Sequence, residues 1–209
     1  MKTIFRHRAE DEALEDARDS LKASVDYFSS SNKAARERWV CEAFLENIGS
    51  RFKVSEVKNP AEEPPDVIFR SARFEIKEVL DKDRKRHGEY KRSYQRALEA
   101  KSVDDLIKSF EPKDLTASDI LLKVEEILLK YSQRYSLEVR AKLDLLIYVN
   151  LMDHFTKDSP MPATHDLNQY GWRSVSAISG SHAYIFHAVR GAPRFLVLRR
   201  GTCFRRHRA

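Results

Sequence analysis

A chain of 209 residues with 42% hydrophobic and 33% charged side chains is too apolar to be disordered, and it has the length of one domain with additions. Its 38 Lys and Arg against 32 Asp and Glu leave a net charge of +6, which suits an anionic partner without naming one. Apolar runs such as 143–151 are too short to span a bilayer and the first twelve residues have no signal-like apolar core, so a cytoplasmic protein without a membrane partner is expected. Two cysteines, Cys41 and Cys203, read as reduced thiols and make no zinc site by themselves.

Leu14, Ala17, Leu21, Val25 and Phe28 recur at helical spacing and predict a helix over 9–28, with acids crowding its first turns. Residues 29–32 break it, and Asn32 reads as the cap of a second helix over 33–48 that Gly49 stops. Alternation at 52–57 predicts a strand, 59–65 a loop rich in Pro and Glu, and 66–70 and 73–80 two further strands. Ser102 is placed to cap a helix to 110. Thr116 and Asp119 resemble a capping box for a long helix striped by Ile120, Leu121, Val124, Ile127, Leu128 and Tyr131. The nearly continuous apolar run at 143–151 predicts a strand covered on both faces, and two more strands are expected at 181–189 and 194–199. No internal repeat or dividing linker is visible. The expectation is one α/β domain over 1–209: a helical extension at 1–32, a core at 33–199 and a basic tail at 200–209.

Chemistry concentrates around the two strands at 66–80. Paired about Ser71 and Ala72, they set Asp66 opposite Lys77 and Ile68 opposite Glu75. Opposed residues share a face, and so do residues two apart on one strand. Asp66, Glu75 and Lys77 then project from one side, and Val67, Phe69, Phe74 and Ile76 from the other, which suits a core. Glu78 falls on that core side. Two converging carboxylates repel unless a positive charge lies between them. A hard divalent cation such as Mg²⁺ or Mn²⁺ answers that need, with Lys77 beside it to stabilise developing charge, and such a site suits phosphodiester hydrolysis. The bland alternative is a solvated salt bridge on a surface hairpin.

Pro65-Asp66 followed nine residues on by Glu75-Ile76-Lys77 resembles the PD-(D/E)XK motif of restriction-endonuclease-like nucleases, and a bacterial family of endonucleases of that kind. The likeness spans roughly 34–80. It implies a mixed β-sheet flanked by helices, Asp66, Glu75 and the Ile76 carbonyl as metal ligands, and Lys77 as the catalytic lysine. A preceding helix often supplies another acid in that superfamily. On the helix at 33–48, Glu37 shares the apolar stripe of Val40, Cys41, Phe44 and Ile48, which favours it; Glu42 is the reserve.

The stretch 82–96 holds seven Lys and Arg against two acids and leaves directly from the strand that carries Lys77. Arg84, Lys85, Arg86, Lys91, Arg92 and Arg96 are expected to seek phosphates, and Tyr90 and Tyr94 to pack on sugar or base. Gln95 resembles the glutamine often found on the helix after the lysine strand in related nucleases. His7 and Arg205-Arg206-His207-Arg208 read as tails that touch nucleic acid.

Other constellations carry less. His154, His165, His182 and His187 read as ordinary histidines. Ser179-Gly180-Ser181-His182 lacks the nucleophile-elbow pattern and has no Asp placed by it, and no phosphate-binding P-loop exists. The reading is a Mg²⁺- or Mn²⁺-dependent endonuclease acting on nucleic acid, DNA foremost. A non-catalytic nucleic-acid binder and an RNA- or structure-selective nuclease are the alternatives, and a homodimer is left open.

Overall fold

The computed structural model describes residues 2–82, 84–107, 111–164 and 167–206, with side chains from residue 10 onward. The chain forms two compact units, one of 1–33 with 82–111 and one of 34–81 with 112–209. The extension expected over 1–32 therefore has a second part, inserted within what the sequence suggested was a continuous core. Among the described residues no helix is long and apolar enough to cross a membrane.

The first unit is helical. Helix α1 (Lys2–Tyr27) packs along the helix Arg86–Glu99, and a 3-10 turn at Val103–Leu106 replaces the helix expected from Ser102. Phe28 stacks on Tyr90 at 4.7 Å, and the Arg86 guanidinium lies 4.5 Å from the Phe28 centroid. Arg18 donates to the carbonyls of Ala97 and Ala100 at 2.8 and 3.1 Å. Those are the orphan acceptors at the end of a helix, and a cation there also meets the negative end of its dipole.

The second unit is a three-layer sandwich. Its elements in chain order are α2 (Lys33–Asn47), β1 (Val57–Lys58), β2 (Val67–Phe69) and β3 (Ala72–Val79). After the inserted helix, here α3, come β4 (Lys113–Leu115), α4 (Ala117–Ser132), α5 (Leu137–Arg140), β5 (Asp144–Val149) and β6 (His154–Thr156). The last are β7 (Ser174–Ser179), β8 (His182–Ala188), α6 (Arg194–Val197) and β9 (Thr202–Arg205). Seven strands form one mixed sheet in the order β1-β2-β3-β5-β7-β8-β9, while β4 and β6 pair apart from it. The middle trio β3, β5 and β7 is parallel and both flanks are antiparallel.

One face of the sheet buries Phe69, Phe74, Leu146 and Ile185 against Val40, Cys41, Phe44 and Ile48 of α2. The other buries Leu145, Ile147, Val175 and Phe186 against Ile120, Val124 and Leu128 of α4. Both helix stripes expected from the sequence are therefore core. Thr116 caps α4 and pairs reciprocally with Asp119, as the capping box requires.

Several expected strands resolve differently. Of the run 52–57 only Val57 joins the sheet, with Lys58 after it, because Glu56 turns back to accept from the Lys53 amide at 2.8 Å and closes a 3-10 turn. The segment 194–199 is the short helix α6, entered after Pro193, whose fixed φ suits a helix start. Part of the expected basic tail is β9, paired with β8, while 207–209 lie outside the described residues. Glu78, expected toward the core, is exposed and accepts from Asn150 Nδ2 at 3.0 Å.

At the start of β5 the fully buried Asp144 accepts from the Arg73 amide at 2.9 Å and the Ser174 hydroxyl at 2.7 Å, and it pairs with Arg173. These bonds tie β3, β5 and β7 together at one end. Replacing Asp144 by Ala strands a largely buried guanidinium and a buried hydroxyl, and urea denaturation is expected to show a loss of roughly 3–5 kcal/mol. A loss below about 1 kcal/mol would show that the triad carries no such load.

Candidate functional site

The β2–β3 hairpin turns at Arg70 and Ser71, with Arg70 at φ 51° in the left-handed region that two-residue hairpins use. Val67 faces Phe74 and Phe69 faces Ala72. The pairing is thus two residues tighter than the sequence suggested and brings Asp66 level with Glu75 rather than Lys77. A slip of two preserves every face; a slip of one would have reversed them. Asp66, Glu75 and Lys77 do share a side.

Asp66 and Glu75 are 4% and 2% exposed, so two carboxylates sit almost wholly inside the protein. Lys77 lies between them: its Nζ is hydrogen-bonded to Glu75 Oε1 and is 3.7 Å from Asp66 Oδ2. Asp66 Oδ2 also accepts from the Ile76 amide at 2.8 Å, so the contact of Ile76 with the acids is through its N–H. Asn59 Nδ2 donates to the Asp66 carbonyl at 2.9 Å, and Arg38 donates to Asn59 Oδ1.

Tyr135 was not visible in the sequence pattern. It donates its hydroxyl to Glu75 Oε1 at 2.6 Å and packs edge-on against the buried Trp172. Burial, and then the bond to Glu75 and its charge, push the Tyr135 phenol well above its ordinary value, so it stays a donor. Tyr131 lies beneath Lys77, with Nζ 5.1 Å from its ring centroid. Two donors therefore converge on Glu75 Oε1, whereas Glu75 Oε2 is buried without a hydrogen-bond partner.

The helix acid brought to the site is Glu37. Glu37, Glu63 and Asp66 offer carboxylate oxygens all within 4.8 Å of one another, and Glu42 is not part of this group. Burial, partly offset by Arg38, raises the Glu42 carboxyl above its usual range. Glu63 comes from the Pro-rich loop, where no periodicity could single it out. The donor set is all oxygen, from α2 and from the stretch that leads into β2; Glu75, whose Oε2 is unpartnered, is not in this group. Such a set fits a hard cation such as Mg²⁺ or Mn²⁺.

The basic stretch lies in the helical unit. Arg84 Nε donates to Glu89 Oε2 at 2.7 Å, Arg86 covers Phe28, and Gln95 Nε2 donates to Glu99 Oε1 at 3.1 Å. The Tyr90 ring, expected to pack on nucleic acid, is stacked on Phe28 instead, because an aromatic on the inner side of α3 serves the helix pair first. Tyr94 is half-buried. Lys85, Lys91, Arg92 and Arg96 are exposed, and Lys85, Arg92 and Arg96 fall on one helix face at 100° per residue.

His182 is an ordinary hydrogen-bonded histidine, but an Asp does stand by it, contrary to the sequence reading. Asp158, remote in sequence, accepts at 2.9 Å from His182 Nε2 and pairs with Arg205, and these contacts, His182 first, hold the Asp158 carboxyl below its usual range. His165 lies outside the described residues.

The fold and site define a mixed α/β protein with buried acids and a lysine on one hairpin. Residues 9–207 match the model of the family described as "Putative endonuclease, protein of unknown function (DUF1780)", and the chain belongs to that family. Among solved structures it is similar to PA4535 of Pseudomonas aeruginosa strain PAO1, a protein of unknown function described as of the monooxygenase superfamily. The two are 28% identical with a TM-score of 0.65, over 94% of this chain and 95% of that one. No curated protein matches.

The raised phenol of Tyr135 gives a pH test. A group whose proton is held more tightly in the folded state loses its contribution as pH rises above the unfolded value, about 10 for tyrosine. Urea midpoints at pH 8 and pH 11 should therefore fall further apart in the wild type than in Tyr135→Phe. Equal falls would mean that the hydroxyl is no better held in the fold than in water.

Proposed function

We propose that the protein is a metal-dependent nuclease of the PD-(D/E)XK type that hydrolyses phosphodiester bonds, with DNA as its substrate. The observation that carries this reading is the convergence of Asp66, Glu75 and Lys77 on one side of a buried hairpin, with Glu75 Oε2 left without a partner. The family's description as an endonuclease supports the reaction class.

In this reading Asp66, Glu75 and the Ile76 carbonyl hold a divalent cation, and Glu37, with Glu63 near it, completes the acidic wall. When bound, the ion supplies positive charge and a more acidic water. Lys77 presents its ammonium to the charge that gathers on the scissile phosphate. Ile76 and Tyr135 fix the two carboxylates by donating to them, so the acids need not reorganise as charge develops. Trp172 backs Tyr135 and Tyr131 lies beneath Lys77. Lys85, Lys91, Arg92 and Arg96 are exposed on the helical unit and are the cations it offers to phosphates, since Arg84 and Arg86 have partners within that unit.

The test is incubation of the purified chain with plasmid, single-stranded DNA and RNA, in Mg²⁺, Mn²⁺ or EDTA. DNA cleavage that EDTA abolishes is the expected result, and no cleavage in any metal would overturn the reading. Divalent metal should also raise Tm in the wild type and not in Asp66→Ala.

Binding and cutting separate by residue. Lys77→Ala should lower the single-turnover rate roughly 10²-fold or more with affinity nearly kept. Replacing Lys91, Arg92 and Arg96 together by Ala should instead weaken binding and make its salt dependence shallower by roughly two to three in slope. Equal affinity losses in the two variants would make Lys77 one more phosphate contact and the protein a binder.

A further inference from the structure

A second cavity of about 370 Å³ opens within the sheet unit, away from the acids, and nothing above uses it. It lies at the carboxyl ends of the parallel strands. Tyr148, Val149 and Asn150 come from the end of β5, and Ser179 and Gly180 follow the end of β7. Open α/β sheets receive ligands at that edge, because parallel strands end there together and the loops diverge.

The walls are unlike the rest of this basic protein. Among the described residues they carry no Lys, Arg, Asp or Glu. A phosphate pocket needs cations or a run of aimed amides, so this is not one. The walls instead combine rings with short neutral hydrogen-bonding groups. Phe155 is 51% exposed at the mouth, and Tyr148 stands edge-on to Trp39 behind it. Thr156 and Ser179 share a hydrogen bond of 2.8 Å, Ser179 being nearly buried. His182, also buried, gives Nε2 to Asp158 and leaves Nδ1 without a partner. A buried ring nitrogen of that kind costs free energy unless something meets it.

Neutral, planar, and edged with donors and acceptors: that description fits a nucleobase. Aromatic faces bind bases by stacking, and hydroxyl, imidazole and amide groups read their edges. Position agrees. Lys77 is level with Ile147 across β3 and β5, and Val149, two residues further along, projects from the same face, whereas the Tyr148 ring projects from the other. At about 3.3 Å rise and about 4.8 Å between strands, the cavity wall on that face starts roughly 8 Å from the Lys77 backbone. That is the span of a nucleotide or two. Asn150 is moreover tied to β3 through Glu78 and the Val79 carbonyl.

We propose that this cavity receives an unpaired nucleobase next to the nucleotide being cut, so that the preferred substrate is single-stranded or locally opened. The choice of a base over another neutral planar ligand rests on the nuclease reading. A base stacked in a duplex cannot enter, which makes opened strands the better substrate.

The probes are deoxyadenosine, deoxycytidine and thymidine, titrated into the full chain in EDTA and followed by ligand-observed NMR, with glucose as control. At least one nucleoside should bind saturably in the millimolar range, and glucose should not. Phe155→Ala, an exposed position that should not disturb folding, should weaken that binding roughly tenfold, the scale of one lost stacking contact. Thr156→Val is the second variant, read alongside its Tm, and should weaken binding while Lys77→Ala does not. Failure of all three nucleosides to bind, or binding indifferent to both Phe155→Ala and Thr156→Val, overturns the proposal. The probes carry no phosphate and the assay no metal. A failure here leaves the cleavage test standing, and a failure of cleavage leaves this result readable.

Discussion

Two carboxylates at 4% and 2% exposure cannot share one side of a hairpin unless positive charge and donors surround them, and that constraint governs the sheet unit. The Lys77 ammonium sits within 3.7 Å of Asp66 Oδ2 and on Glu75 Oε1. Ile76 and Tyr135 each add a donor. Buried ions of this kind are weak stabilisers, because the desolvation cost of each is several kcal/mol and attraction only offsets it. Packing explains a hydrophobic hairpin there; it does not explain this one. The arrangement works against stability and leaves Glu75 Oε2 unmatched, and that is what makes this hairpin the candidate site.

The sheet makes that arrangement rigid. Strand β3 is the hinge of the topology, antiparallel to β2 on one side and parallel to β5 on the other. Its register against β5 runs unbroken from Phe74 to Val79, so Glu75 and Lys77 are fixed by the β5 ladder, while the β2 pairing ends at Phe74. Asp144 performs a related task one register step away, level with Phe74, but there the donors are complete: an amide, a hydroxyl and a guanidinium meet both of its oxygens. The contrast between Asp144 and Glu75 separates a structural buried acid from a candidate functional one. Both are buried and paired, and only Glu75 keeps an unanswered oxygen.

Much of this was legible in the chain because its strongest signals are periodic. The α2 and α4 stripes and the alternation of 66–79 fix which residues face the core, and a hairpin slip of two leaves that alternation intact. Turn geometry was harder, since Arg70 at φ 51° is a conformation for which its side chain gives no hint. The strand β7, Ser-Val-Ser-Ala-Ile-Ser, was missed because its serines look like a solvent face. In fact Ser174 and Ser176 are fully buried, with Ser174 bonded to Asp144. Glu63 and Tyr135 reach the acids from a loop and from beyond a helix end, and Asp158 reaches His182 over 24 residues. Only tertiary structure brings such residues together.

The basic stretch shows why local charge overstates a binding surface. Seven cations within fifteen residues suggested one continuous phosphate track, yet α3 is amphipathic and its inner side must pack on α1. Tyr90 and Arg86 are therefore taken up by Phe28, and Arg84 by Glu89. Arg18 meanwhile reaches from the acid-rich α1 to the carbonyls that end α3. What remains for a partner is a narrower row, Lys85, Arg92 and Arg96 on one face with Lys91 beside it. A row on one helix face holds one strand of phosphates at a time, whereas a flexible basic loop would wrap whatever it met. If the proposed nucleic-acid partner binds here, geometry on the helix, rather than the net charge of +6, would set how many phosphates this unit could hold.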